Sequence, residues 1–101
     1  MNAISDYKEI NGNASSPSIA SGIGFENQNK IAILEYLKKN EAEAVQARSM
    51  TDYISGAALH KSVECFTDGK YFWNSEEIYH FEQYDLKLND DFTQYVLNRP
   101  E

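Results

Sequence analysis

Three side chains of this 101-residue chain could bind a metal or run nucleophilic chemistry: His60, Cys65 and His80. A zinc site draws on closely spaced ligand pairs such as CxxC or HExxH, and the chain has neither, so one thiol and two distant imidazoles make a poor ligand set. Cys65 with a histidine could form a nucleophile and base pair. On the apolar side of a hairpin, however, its thiolate is disfavoured and it behaves as a small hydrophobe. Paired carboxylates, Glu76-Glu77 and Asp90-Asp91, could share acid and base work if their surroundings pushed their pKa values apart. Both pairs fall in first turns of expected helices, where negative charge is favourable in any case. No Gly-rich phosphate loop, GxSxG elbow or SxxK motif occurs. The expectation is a non-enzyme with no catalytic residues, no metal and no cofactor.

Recognition chemistry is better represented. The stretch "FTDGKYFWNSEE", 66–77, places Phe66, Tyr71 and Trp73 beside Asp68, Glu76 and Glu77, with Glu64 just before it. Aromatic rings supply contact area, and surrounding carboxylates supply steering toward a basic protein. Glu64, Phe66, Asp68, Tyr71, Trp73, Glu76 and Glu77 are therefore the candidate partner-binding residues. The competing reading puts these rings in the core beneath a helix.

The elements that must position this set follow from local signals. Asp68-Gly69 is a two-residue hairpin turn signal, which sets Thr67 opposite Lys70, Phe66 opposite Tyr71, Cys65 opposite Phe72 and Glu64 opposite Trp73. One face of that hairpin would carry Val63, Cys65 and Phe72; the other would carry Glu64, Phe66, Tyr71 and Trp73. Asn74 precedes Glu77 by three residues, a capping-box spacing, and opens a helix expected over about Ser75 to Asp85. Asn89 with Asp90 and Asp91 opens a last helix that stops at Arg99-Pro100. Upstream, Ile31, Ile33, Leu34 and Leu37 mark a helix ending near Asn40. Residues 41–59 are ambiguous, with a strand favoured over part of them. Residues 1–26, rich in Ser, Asn, Gly and Ala, read as a flexible or loosely docked arm that Ile19, Ile23 and Phe25 could pin to the body. The expected architecture is α+β: a small antiparallel hairpin or sheet packed by three or more helices, in one domain over 27–101.

Hydrophobic residues make up 42% and aromatics 13%, enough for a packed interior in a chain of this size. The net charge of −7 is lopsided: residues 1–40 hold four acids and four bases, whereas 41–101 hold twelve acids and five bases. Such a field repels phosphate backbones and anionic lipid, so direct nucleic-acid and membrane binding are not expected. A winged-helix-like scaffold fails as a DNA binder on the same count, but survives as a protein-interaction module, either an adaptor or a regulator. The lone cysteine suits a reducing compartment, and there is no apolar run of signal-peptide or membrane-span type, so a cytoplasmic location is expected.

The acidic second half and the segment "TDGKYFWNSEEIYHFEQYDLKLNDDF", 67–92, resemble the immunity proteins of bacterial toxin systems, including those of contact-dependent growth inhibition. The resemblance implies an inhibitor that binds a cognate toxin's C-terminal domain, a basic nuclease, and covers its nucleic-acid cleft with acidic and aromatic groups.

Overall fold

The computed structural model describes residues 1–99 and is α+β. In chain order it contains β1 (Asn2–Ala3), α1 (Lys8–Asn11), a 3-10 turn (Ile19–Gly22), α2 (Lys30–Lys38), β2 (Ala44–Thr51), β3 (Ala58–Thr67), β4 (Tyr71–Asn74), α3 (Ser75–Tyr84) and α4 (Asp90–Asn98). The four strands form one sheet in the order β1-β4-β3-β2. Pairing is antiparallel between β2 and β3 and between β3 and β4, while β1 joins β4 in parallel, so the sheet is mixed rather than a plain antiparallel hairpin.

Of the helix-start signals, the Asn74 one acts as the sequence suggests, whereas the Asn89 side chain makes no capping bond and donates to the Ala3 carbonyl instead. At the start of α3 the Asn74 side chain accepts from the Glu77 N–H, and the Glu77 carboxylate accepts from the Asn74 N–H, which completes a reciprocal capping box. Apolar positions of α2, α3 and α4 (Ile33, Leu37, Phe81, Phe92) meet over the sheet and are essentially sealed from solvent. Trp73 lies at their centre, 6.0 Å from the Phe92 ring and 6.1 Å from Tyr36, and its indole N–H donates to the Leu37 carbonyl at 3.2 Å. A buried indole must find such an acceptor, and the end of α2 provides one.

Residues 1–26 correct the expectation of a flexible or loosely docked arm. Ile4 and Ile19 are fully buried in the main core, whereas Phe25, one of the proposed pins, is about half exposed. Backbone bonds fix the segment along its length: Asn2 N–H to the Lys70 carbonyl, Asn89 N–H to that of Ile4, Lys87 N–H to that of Gly22 and Gly24 N–H to that of Tyr84. Gly22 permits the closest approach, because a Cβ there would lie 2.1 Å from the Tyr7 hydroxyl oxygen. A composition poor in apolar residues looks mobile, but a few well-placed isoleucines and a backbone ladder are enough to order it.

The hairpin register also differs from the two-residue turn. Thr67 pairs with Phe72, Phe66 with Trp73 and Cys65 with Asn74. Gly69 takes the left-handed conformation at φ 94°, but Asp68 does not. Instead the Asp68 carboxylate accepts from the Lys70 and Tyr71 N–H groups at 2.9 and 2.7 Å, which draws two more residues into the turn. A shift of two residues keeps Phe66, Tyr71 and Trp73 on one face, but that face is turned inward rather than outward: Tyr71 and Trp73 point into the core, and Phe72 on the opposite face is 45% exposed. The ambiguous stretch after residue 41 forms β2, a reversal at 52–57 and the start of β3. Among the described residues, no helix is long and apolar enough to cross a membrane.

Candidate functional site

The seven residues expected to form one partner-binding face do not share a surface. Trp73, Tyr71, Glu76 and Glu77 are all buried. Phe66 is half-buried, with its ring stacked on Trp73 at 6.4 Å. Asp68 is half-buried and occupied by its own turn and by the Tyr36 hydroxyl. Those hydrogen bonds outweigh the upward push of burial and hold its carboxyl below the usual range. Only Glu64 is freely exposed. The core reading of the rings is the correct one, because Tyr71 and Trp73 alternate inward on β4 beneath α2 and α4.

Glu76 and Glu77 sit side by side in the first turn of α3 and do separate jobs. Glu77 turns toward the amino terminus, where the Ser5 hydroxyl donates to it at 2.5 Å and the capping N–H of Asn74 at 3.0 Å. Burial is the main influence on its acidity and, with the neighbouring Glu76 charge, pushes its pKa up to about 7 against those two hydrogen bonds. Glu76 turns toward β2, where it accepts from Arg48 at 2.8 Å, from the Thr51 N–H at 2.9 Å and from the Tyr53 hydroxyl.

Around Glu76 lies a polar cluster that the sequence reading missed. The His80 ring stacks on Tyr53 at 5.5 Å, and its Nε2 accepts from the Tyr53 N–H at 3.0 Å. That assigns the proton to Nδ1, which donates to the Glu76 carbonyl. Asp52 accepts from the hydroxyls of Tyr79 and Tyr84 and from the N–H groups of Ile54 and Ser55. Burial opposes its charge, but these four bonds hold the carboxyl far below its ordinary value, and Asp52 in turn pushes the Tyr79 hydroxyl up to about 12. Every carboxylate of the cluster is satisfied by the fold itself, so its evident task is to clamp the β2–β3 reversal onto α3. The signals were "TDYISG", an Asp-led turn, and the spacing of Glu76, Tyr79, His80 and Tyr84, which places them along one side of a helix.

His60 and Cys65, the other residues considered for metal or nucleophilic chemistry, lie on β3 away from His80; His60 is exposed and Cys65 half-buried. Among the described residues no group of three or more His, Cys, Asp or Glu is placed to hold a metal ion.

The accessible part of the molecule with a recognisable character is the β2–β3 ribbon. Residues 44–49 of β2 are all exposed, and among the described residues β3 is the only strand that pairs with β2, so the outer backbone edge of β2 is open. Glu41 and Glu43 lead into β2, and Glu64 pairs across from Val45, which is 62% exposed. An open groove of about 600 Å³ runs between the ribbon and α3, with Glu41, Glu64, Met50, Phe66, Ile78 and Tyr79 on its walls. The ion pairs among the described residues are Lys30–Asp85, Lys38–Glu82 and Arg48–Glu76, and none involves Glu41, Glu43 or Glu64. The base of the ribbon thus carries three glutamates that enter no ion pair among the described residues, although Lys38 and Lys61 stand on the walls of the same groove. Comparison of the chain with protein-family models, with curated proteins and with solved structures finds no match.

Proposed function

We propose that the protein is a non-enzymatic inhibitor that captures a basic partner protein, in the manner implied by its resemblance to toxin-immunity proteins, and that the β2–β3 ribbon is its contact surface. The observation that carries this reading is the ribbon itself: an open strand edge, exposed on both faces over six residues, with three glutamates at its base that enter no ion pair among the described residues. An open edge offers backbone donors and acceptors to an extended segment of another protein. The glutamates favour a partner segment rich in Lys or Arg and speed its arrival. The buried Tyr71, Trp73, Glu76 and Glu77 lend no support to this role, so the reading passes from the expected face to Glu41, Glu43 and Glu64. An adaptor that binds a basic partner without inhibiting it is the second reading, favoured by the same surface.

Co-expression with a toxin domain encoded immediately upstream tests the proposal. The expected result is a one-to-one complex without toxin activity, whose association slows at least about tenfold when Glu41, Glu43 and Glu64 are together changed to Lys. A complex that forms but leaves the toxin active selects the adaptor. A complex whose association and salt dependence ignore the triple reversal removes the ribbon as contact surface.

A further inference from the structure

We propose that the cavity between α2 and the carboxyl end of α4 binds a carboxylate carried on a short aliphatic body. The cavity has a volume of about 400 Å³, and Tyr36, Lys39 and Arg99 supply its aromatic and cationic walls. The Lys39 ammonium lies 4.5 Å from the centre of the Tyr36 ring, and the Arg99 guanidinium carbon lies 4.4 Å from the same centre. One aromatic face attracts a cation, but two cations held against one ring repel each other unless an anion joins them. Neither makes an ion pair among the described residues, in a protein whose net charge is −7.

A second observation points the same way. The Arg99 Nε is buried and has no hydrogen-bond partner among the described residues. Buried guanidinium donors are rarely left alone, and an orphan of this kind marks the place of a missing acceptor. The Nε edge of arginine matches the two oxygens of a carboxylate, and Lys39 provides a second positive group near the same ring. Ala32, Val96 and Leu97 complete the lining with aliphatic surface, which favours an alkyl group over a fully hydrated phosphate. Among the described residues Glu35 is the one acid on the wall, and it discourages ligands with more than one negative charge. The Tyr36 hydroxyl is already committed to the Asp68 carboxylate, so the tyrosine contributes its ring, held in place from behind.

This site is independent of the ribbon and stands whether or not the inhibitor reading survives. The test is titration of the whole protein with isobutyrate, followed through the Arg99 Nε–H and the Ala32 and Val96 methyl resonances. The expected result is saturable shifts with Kd of about 1–10 mM, a range suited to a ligand of few atoms. Isobutyramide should produce none of them, and Arg99→Gln and Lys39→Gln should each weaken binding about tenfold while the remaining spectrum is preserved. N-acetyl-glycyl-valine with a free carboxyl group separates the possible sources. Affinity at least about tenfold above isobutyrate identifies a peptide terminus, and equal affinity identifies a small carboxylate. Shifts that fail to saturate, that appear equally with the amide, or that survive Arg99→Gln overturn the proposal. So does an Arg99 Nε–H that responds to isobutyrate only after residues 100–101 are deleted, because a group of that segment then competes for the site.

Discussion

The start of α3 and the base of the ribbon both present glutamates, and they use them in opposite ways. Glu76 and Glu77 are buried and held by hydrogen bonds, whereas Glu41, Glu43 and Glu64 stand in solvent and enter no ion pair among the described residues. The first pair holds the fold together and is hidden from any partner. The second group adds almost nothing to the fold and is available for recognition. Residue type, which is the same in the two regions, therefore says little about role. What separates them is whether distant parts of the chain close over the carboxylate.

The sharpest break in that comparison is Glu76→Ala. It removes the acceptor for Arg48, for the Thr51 N–H and for the Tyr53 hydroxyl at once, at a carboxylate that is itself sealed from water although Arg48 reaches it from the surface. Stranding buried donors and a paired cation should cost about 4 kcal/mol, measured by urea unfolding, with the β2–β3 reversal losing amide protection first. A loss under about 1 kcal/mol would mean that the clamp is ornamental and that the two regions differ less than their burial suggests.

Glu77 sharpens the comparison through pH. Its pKa is raised from 4.5 to about 7 in the folded protein, so between those values the native state keeps a proton that the unfolded chain releases. The associated stability is complete below about pH 4.5, falls as pH rises, and is gone above about 7; the shift corresponds to about 3 kcal/mol. Asp52 and Asp68 run the other way, since their lowered values give stability that is present above the ordinary carboxylate range and lost on acidification. Glu77→Gln imitates the protonated form, keeps an oxygen for the Asn74 N–H, and cannot titrate. Its stability relative to the parent should be near zero at pH 4 and rise to about 3 kcal/mol in its favour by pH 8, read from paired unfolding curves. A difference that stays flat across that span would show that Glu77 is ionised and solvated in the folded state.

How much of the fold is legible in this sequence follows from the same distinction between local and distant causes. The Asn74–Glu77 capping box and the acidic first turn of α4 are legible because the groups concerned lie within one turn of each other. The turn at Asp68-Gly69 is legible but its register is not, since the choice between a two-residue and a longer turn is made by the Asp68 carboxylate reaching two following N–H groups. The order of residues 1–26 depends on Tyr84, Lys87 and Asn89, far along the chain, and could not be read from their own composition. The candidate face failed for the same reason. Nothing within residues 64–77 records that Arg48 and Tyr53 will close over Glu76, or that α2 and α4 will cover Trp73.

A smaller effect isolates the local part of Glu77's role. Asn74→Ala deletes the side-chain half of the capping box while leaving the Glu77 carboxylate in place, and should cost about 1 kcal/mol at any pH. If the loss instead followed the Glu77 titration, the two halves of the box would be coupled, and the helix cap would share in the pH response.

The smallest expected change is the most telling for the ribbon. Glu64 has its N–H bonded to the Ser75 hydroxyl, a backbone contact that any side chain preserves, while its carboxylate enters no ion pair among the described residues. Glu64→Ala should therefore alter stability by no more than about 0.5 kcal/mol, and the same should hold for Glu41→Ala and Glu43→Ala. Like charges gathered at one end of a ribbon repel, so a slight gain in stability, larger at low salt, is the more specific expectation. A protein that keeps mutually repelling, structurally idle carboxylates beside an open strand edge bears a cost that its own fold does not recover. A partner with the opposite charge would recover it, and a loss of more than about 1 kcal/mol on removing any one of these glutamates would return them to the structural side of the comparison.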